Sequence, residues 1–300
     1  MSSAIGGLSF DSTLGAASIG FSVSCVVFGV LSTQAFTYFQ KYPSDRPAYK
    51  VLVATLWSLE LLDQIFIGYS VYFYTITNYG NPLALITSSI VWTLIVQVML
   101  GACVGTIVKA CFTMRVWRFS DRNIFVTGFI CLLIATQFGL AIVYTAQAFQ
   151  LSSLKDVHKL KFIATLALGA GVLTDFCIAI ALCYFLRKLR TGYRGSDSLV
   201  NSLTIYAINT GALTSAISLC TVLLVNTHSD AFYFMASYFV LGKLYAISFL
   251  CALNTRKIIR GRGTDHAATS SKTENPGTSF FIVNHNSRLH NPPTHHTKVS

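Results

Sequence analysis

Four ionisable side chains stand inside stretches that are otherwise apolar: Glu60, Asp63, Asp175 and Lys243. Lys243 lies in SYFVLGKLYAISFLCALNTRK, residues 237–257. An ammonium surrounded by hydrocarbon is unfavourable unless something meets it, so each such residue is a functional-site candidate by default. Glu60 and Asp63 are spaced i,i+3, which puts both carboxylates on one helix face. The chemistry open to this set is a buried ion pair, a proton or cation path, or a polar pocket for a ligand. Asn209 is the amide that joins the layer, with Gln64, Gln97, Gln137 and Asn201 as further polar neighbours. Three acids against one base leave surplus negative charge, which calls for a proton, water or a cation at one of the acids.

The elements that must hold these groups are membrane spans. The chain has 300 residues, of which 53% are hydrophobic and 11% charged. Soluble domains carry roughly a quarter charged residues. A span takes about 20 mostly apolar residues, and such runs fall at 14–39, 51–75, 87–112, 124–147, 162–186, 200–225 and 232–253. The expected fold is an all-α, seven-helix membrane bundle over 14–253. A short outer N-terminal tail, 1–13, is expected before it and a disordered, basic cytosolic tail, 254–300, after it. At about 1.5 Å per residue, Glu60 lies about 13 Å from its nearer border, Asp63 about 18 Å, Asp175 about 16 Å and Lys243 about 15 Å. All four therefore share one layer near mid-membrane, and Lys243 is expected to face the interior and pair with one or more of the acids.

Basic residues set the orientation. Lys41, Arg46 and Lys50 follow span one, and Lys109, Arg115, Arg118 and Arg122 are assigned to the third loop. Arg187, Lys188, Arg190 and Arg194 lie in the fifth loop, and the tail carries Arg256, Lys257, Arg260 and others. The opposite side has Lys155, Lys159 and Lys161 alone. The N-terminus is thus expected outside and the C-terminus in the cytosol, with the plasma membrane as the expected location. The net charge of +11 is mostly this topology signal. It flanks spans instead of forming a patch, so no nucleic-acid partner is expected. The expected partners are the lipid bilayer and a cytosolic protein at the basic loops and tail.

The eight cysteines all fall in or at the ends of spans, which argues against a disulfide framework. All six prolines lie in loops or the tail, so the spans should run without proline kinks. Small residues four apart, at Ala16/Gly20, Gly101/Gly105, Ala167/Gly171 and Gly211/Ser215, suit close helix packing. Five of the seven histidines are in the tail and read as solvated, not as a metal site.

Several seven-helix chemistries lack their residues. A lysine in helix seven is the retinal arrangement, but Phe239 stands one turn before it where microbial rhodopsins carry Asp, and span three has no acid. TMRVWR and ALNTRK replace the helix-three and helix-seven motifs of rhodopsin-like receptors. No span contains a histidine for a zinc hydrolase. Asp63 and Asp175 lack the context of an aspartyl protease, and no phosphate loop or nucleophile elbow occurs. No cofactor and no enzymatic activity are expected.

Two stretches carry a family resemblance: TDFCIAIALCYFLRKLRTGYRGSDSLVNSLTIYAINTGALTS and FYFMASYFVLGKLYAISFLCALNTRK. With LGAASIG, YFQKYPSDRP and TNYGNP upstream, the chain resembles a fungal, chiefly basidiomycete, family carrying domain of unknown function 6534 over about 171–257. The resemblance implies a seven-helix integral membrane protein and no particular activity. The sequence therefore leaves three functions standing. These are a receptor or sensor using the polar layer, a transporter of a small solute, proton or cation through Glu60, Asp63, Asp175 and Lys243, and a scaffold in which the charges fix registry.

Overall fold

A computed structural model describes residues 14–79, 91–151, 159–188, 194–227 and 233–255, with side chains of the fourth segment described from Gly211 onward. Among the described residues there is no strand. Seven long helices follow one another: α1 (Ala16–Lys41), α2 (Pro47–Tyr72), α3 (Trp92–Phe119), α4 (Ile124–Phe149), α5 (Lys161–Lys188), α6 (Arg194–Thr227) and α7 (Tyr233–Asn254). Helix α2 ends in a π-helical turn, Phe73–Thr77. The tails over 1–13 and from Arg256 onward, with the tail histidines, lie outside the described residues.

Local chemistry sets several ends. Pro47 opens α2, where its missing N–H breaks no helical hydrogen bond. Asn123 caps α4, its Oδ1 accepting from the backbone N–H of Phe125 at 3.1 Å and of Val126 at 3.4 Å. Asp121 and Arg122 take left-handed φ values of 51° and 63°, which lets the chain reverse between α3 and α4 over four residues. Such short connections, there and at 42–46, make neighbouring helices antiparallel.

Six of the helices, with α2 counted through Thr77, are long and apolar enough to cross a membrane. The described part of α6, Gly211–Thr227, is a shorter apolar helix. Each spanning helix is apolar on nearly every face, as expected where lipid and not water surrounds the bundle. Ile19, Val26, Phe125 and Phe162 point outward and are exposed. Outward hydroxyls bond back to their own helix, as Thr33 does to Gly29 O and Thr136 to Leu132 O, so no polar group is left to the hydrocarbon there.

The helices close into a ring in chain order, with α7 packed against α1, and α3 also reaches α5 and α7. Polar clasps pin neighbours: Trp57 Nε1 donates to Ser32 Oγ (3.1 Å) between α2 and α1, and Asn254 Nδ2 donates to Gln34 O (2.9 Å) between α7 and α1. Ser70 and Thr93 share a 2.7 Å hydrogen bond between α2 and α3. The eight cysteines are free thiols.

The small-residue pair Ala16/Gly20 marks a close approach. A Cβ on Gly20 would sit 2.6 Å from Ala236 Cα, so α1 and α7 meet there backbone to backbone. Gly20→Ala is expected to force the helices apart and lower stability by about 1–3 kcal/mol. Gly139→Ala, where nothing lies within 4 Å, should be neutral or mildly stabilising. Melting of both variants in detergent checks this, and an undisturbed Gly20→Ala would contradict the packing.

Candidate functional site

The acids and lysines come together as two clusters on opposite sides of α7. In the first, Lys243 Nζ donates to Asp63 Oδ2 at 2.7 Å and to the backbone O of Phe239 at 3.3 Å, with Glu60 Oε2 at 3.5 Å. All three side chains are buried, Lys243 at 0% exposure. The i,i+3 spacing on α2 thus presents both carboxylates to one ammonium. Asp63 takes the short contact. Neither oxygen of Glu60 has a hydrogen-bond partner, and its Oε1 lies against Gly242, where a Cβ would come within 2.9 Å.

Asp175 does not join Lys243. Its partner is Lys109, which the sequence assigned to the third loop. That assignment is corrected: Lys109 lies within the span itself, three residues inside even the expected border at 112, α3 continues to Phe119, and Lys109 is 2% exposed. Lys109 Nζ lies 3.1 Å from Asp175 Oδ1 and donates to Gln137 Oε1 at 2.8 Å and to Gly171 O at 3.0 Å. Three acceptors satisfy the three N–H bonds of an ammonium. The second oxygen of Asp175 accepts from Tyr245 Oη at 2.6 Å, and the Tyr245 ring lies 5.1 Å below the ammonium. The layer therefore holds three acids and two bases.

The geometry follows from helix periodicity. Tyr245 is two residues beyond Lys243, about 200° around the helix, so the two side chains serve opposite faces of α7. Gly105, one turn before Lys109, faces the Tyr245 ring, which would lie in ordinary contact, 3.7 Å, from a Cβ there. Gly171, by contrast, has to be a glycine to admit the Gln137 amide, 2.9 Å from where its own Cβ would be. Lys109 was missed because it borders a basic stretch. The signal that would have found it is the apolar run through Val116 and Trp117, which puts the border at Arg115, Arg118 and the tryptophan. Of the other polar neighbours, Gln64 turns to α1 and away from both clusters, accepting from Ser24 Oγ at 2.6 Å. The side chains of Asn201 and Asn209 lie outside the described residues.

Above the layer, toward the starts of α1, α3, α5 and α7, a cavity of about 130 Å³ opens between α3, α4, α5, α6 and α7. Its walls are mostly apolar, and Gln97, Gln137, Tyr238 and Tyr245 line it. On the far side of Tyr245 lies a chamber of about 30 Å³, bordered by Lys109, Asp175, Thr214 and Ser248. It has room for about two waters. Tyr245 borders both spaces, so the Lys109–Asp175–Tyr245 cluster is the partition between them. Farther along, Leu31, Leu56, Val108, Phe249, Leu250 and Leu253 form a closed apolar core. Among the described residues no group of three or more His, Cys, Asp or Glu could hold a metal ion.

Taken together, the apolar exterior, the long helices and the buried charge layer define a multi-pass membrane-type helical protein. Residues 171–258 match the Family of unknown function (DUF6534). The matched stretch begins at Gly171 and carries Asp175, Lys243 and Tyr245, so it contributes to both clusters. No curated protein and no solved structure matches the chain.

Proposed function

We propose that the protein is a non-enzymatic receptor or sensor in which all seven helices cross the bilayer. The N-terminus faces outward, and the basic ends at Lys41, Arg46, Arg118, Arg122, Arg187 and Lys188 face the cytosol. The observation that carries this reading is the cavity that ends on Tyr245, a residue fastened to the Asp175–Lys109 pair. A molecule in the cavity would bear on a side chain whose hydroxyl is committed to a buried ion pair. Moving that side chain shifts α7 relative to α3 and α5, and the shift reaches the basic face where a cytosolic protein could read it. The apolar core beyond the layer closes the bundle, which favours a sensor over an open path. The plasma membrane suits this role.

A second reading rests on Glu60. Its buried carboxylate has no hydrogen-bond partner, as suits a group that takes up and releases a proton or cation. Flux into proteoliposomes separates the two. The sensor reading expects no proton or cation flux from the wild type. Flux that disappears in a folded Glu60→Gln variant would replace the sensor with a transporter.

A further inference from the structure

The cavity is apolar within and positive at its outer end. Leu94 and Ile95 on α3, Lys161 on α5, and Phe234 and Met235 on α7 line that end, each in the first turn of its helix. Three helix N-termini therefore meet there, and the positive ends of their dipoles favour an anion. Lys161 adds a full charge. Its Nζ donates to the backbone O of Asn226 at 3.0 Å, which anchors the ammonium at the rim, where α6 ends. An ammonium has three N–H bonds, so two are left to give. Among the described residues no carboxylate lines the cavity and none pairs with Lys161. The sequence assigns only three basic residues to this side, Lys155, Lys159 and Lys161, and all three precede or open α5. Below the rim, Ala102, Ala141, Ala164 and Leu168 leave an apolar space. Tyr144 also lines it with a hydroxyl that makes no hydrogen bond, so the space admits one further polar atom on a ligand. Apolar walls with a few placed polar groups are the pattern of a small-molecule site.

We propose that the cavity takes a small apolar monocarboxylate, with its body between the helices and its carboxylate on Lys161 Nζ. This rests on the cavity's being the ligand site of a sensor and adds the class of the ligand. A space of about 130 Å³ corresponds to about ten waters, so the ligand has on the order of ten non-hydrogen atoms. A single ammonium matches a single negative charge, whereas a phosphate monoester would bring close to two. With its head at the rim, the ligand points its apolar end down the cavity toward Tyr245.

Three probes of one size test it on the full chain in zwitterionic nanodiscs, with empty nanodiscs as the reference for lipid partitioning: trans-cinnamate, trans-cinnamide and cinnamylammonium. They share one apolar body and carry a negative, a neutral and a positive head. Cinnamate is expected to bind about tenfold more tightly than cinnamide, the gain of one charge-assisted hydrogen bond at a partly exposed site. Cinnamylammonium should bind most weakly, and added salt should shrink the preference for cinnamate. Lys161→Gln should bring cinnamate to within about twofold of cinnamide, while Lys161→Arg keeps most of the preference. Ala102→Phe and Ala164→Phe fill the space from different helices, and each should remove specific binding of cinnamate, with melting in detergent reporting that the variants fold. If cinnamide or cinnamylammonium binds as tightly as cinnamate, or the preference survives Lys161→Gln, the carboxylate assignment is overturned and the cavity stands as a ligand site. If no probe binds in a way that the folded filling variants remove, the ligand-site reading fails and this assignment fails with it.

Discussion

Lys243→Met is expected to lower the stability of the bundle by about 3–5 kcal/mol, the range found when one partner is removed from a buried charge pair. The reason lies in what remains. Asp63 loses its 2.7 Å hydrogen bond, and Glu60, which has no hydrogen-bond partner to begin with, loses the cation 3.5 Å away. Two carboxylates are left on adjacent turns of one face of α2 in a dry interior. Methionine fills nearly the same volume, so the loss is electrostatic and not a cavity effect. Adding Glu60→Gln and Asp63→Asn to Lys243→Met should restore most of the stability, because neutral amides remove the unpaired charges. Unfolding in bicelles or mild detergent measures both variants. An unchanged melting point for Lys243→Met would mean that the cluster does not hold α7 to α2.

Lys109→Met is expected to have an effect of the same order, about 3–5 kcal/mol, for a related but separate reason. Lys109 is the hub that ties α3 to Gln137 on α4 and to Gly171 O and Asp175 on α5. Removing it leaves the Gln137 amide oxygen and one Asp175 oxygen without donors, although Tyr245 still donates to the other. Asp175→Leu in the Lys109→Met background should recover part of the loss, since an apolar pair of similar volume has no charge to bury. The two clusters share no partner, so Lys109→Met and Lys243→Met should add to within about 0.5 kcal/mol. A large coupling between them would show one network in place of two. Lys109→Met should also alter the response of the cavity, because the Tyr245 ring loses the cation above it. Lys243→Met acts on the opposite face of α7 and leaves that ring in place.

Much of the fold was legible in the residues because membrane helices announce themselves locally. Apolar runs of sufficient length, basic residues at their borders and prolines only outside them are properties of short stretches. The mid-depth of Glu60, Asp63, Asp175 and Lys243 follows from counting residues along a helix of fixed rise. That Lys243 turns inward follows too, since an ammonium facing lipid would have no acceptor. The i,i+3 pairing of Glu60 and Asp63 on one cation needed no more than helix periodicity.

What the sequence could not assign was which acid meets which lysine. Asp175 and Lys243 lie at similar depth, yet Asp175 is held by Lys109, because Lys243 and Tyr245 leave α7 on opposite sides. That outcome depends on how each helix is rotated about its own axis, which is fixed by packing all along its length. Lys109 itself was hidden by its nearness to Arg115 and Arg118, where composition alone blurs the end of a span. The role of Gly171 in making room for Gln137 exists only once neighbouring helices are in place. The cavity and the unpartnered oxygen of Gln97 are likewise products of assembly. A glutamine in an apolar run is ordinary until five helices surround it and none offers its oxygen a hydrogen. The sequence alone determined the run of apolar helices and the mid-helix positions of Glu60, Asp63, Asp175 and Lys243, because these are local. Only the tertiary structure decided partners, partition and pocket, because contacts between residues as far apart as Asp63 and Lys243 depend on the packing of the whole ring.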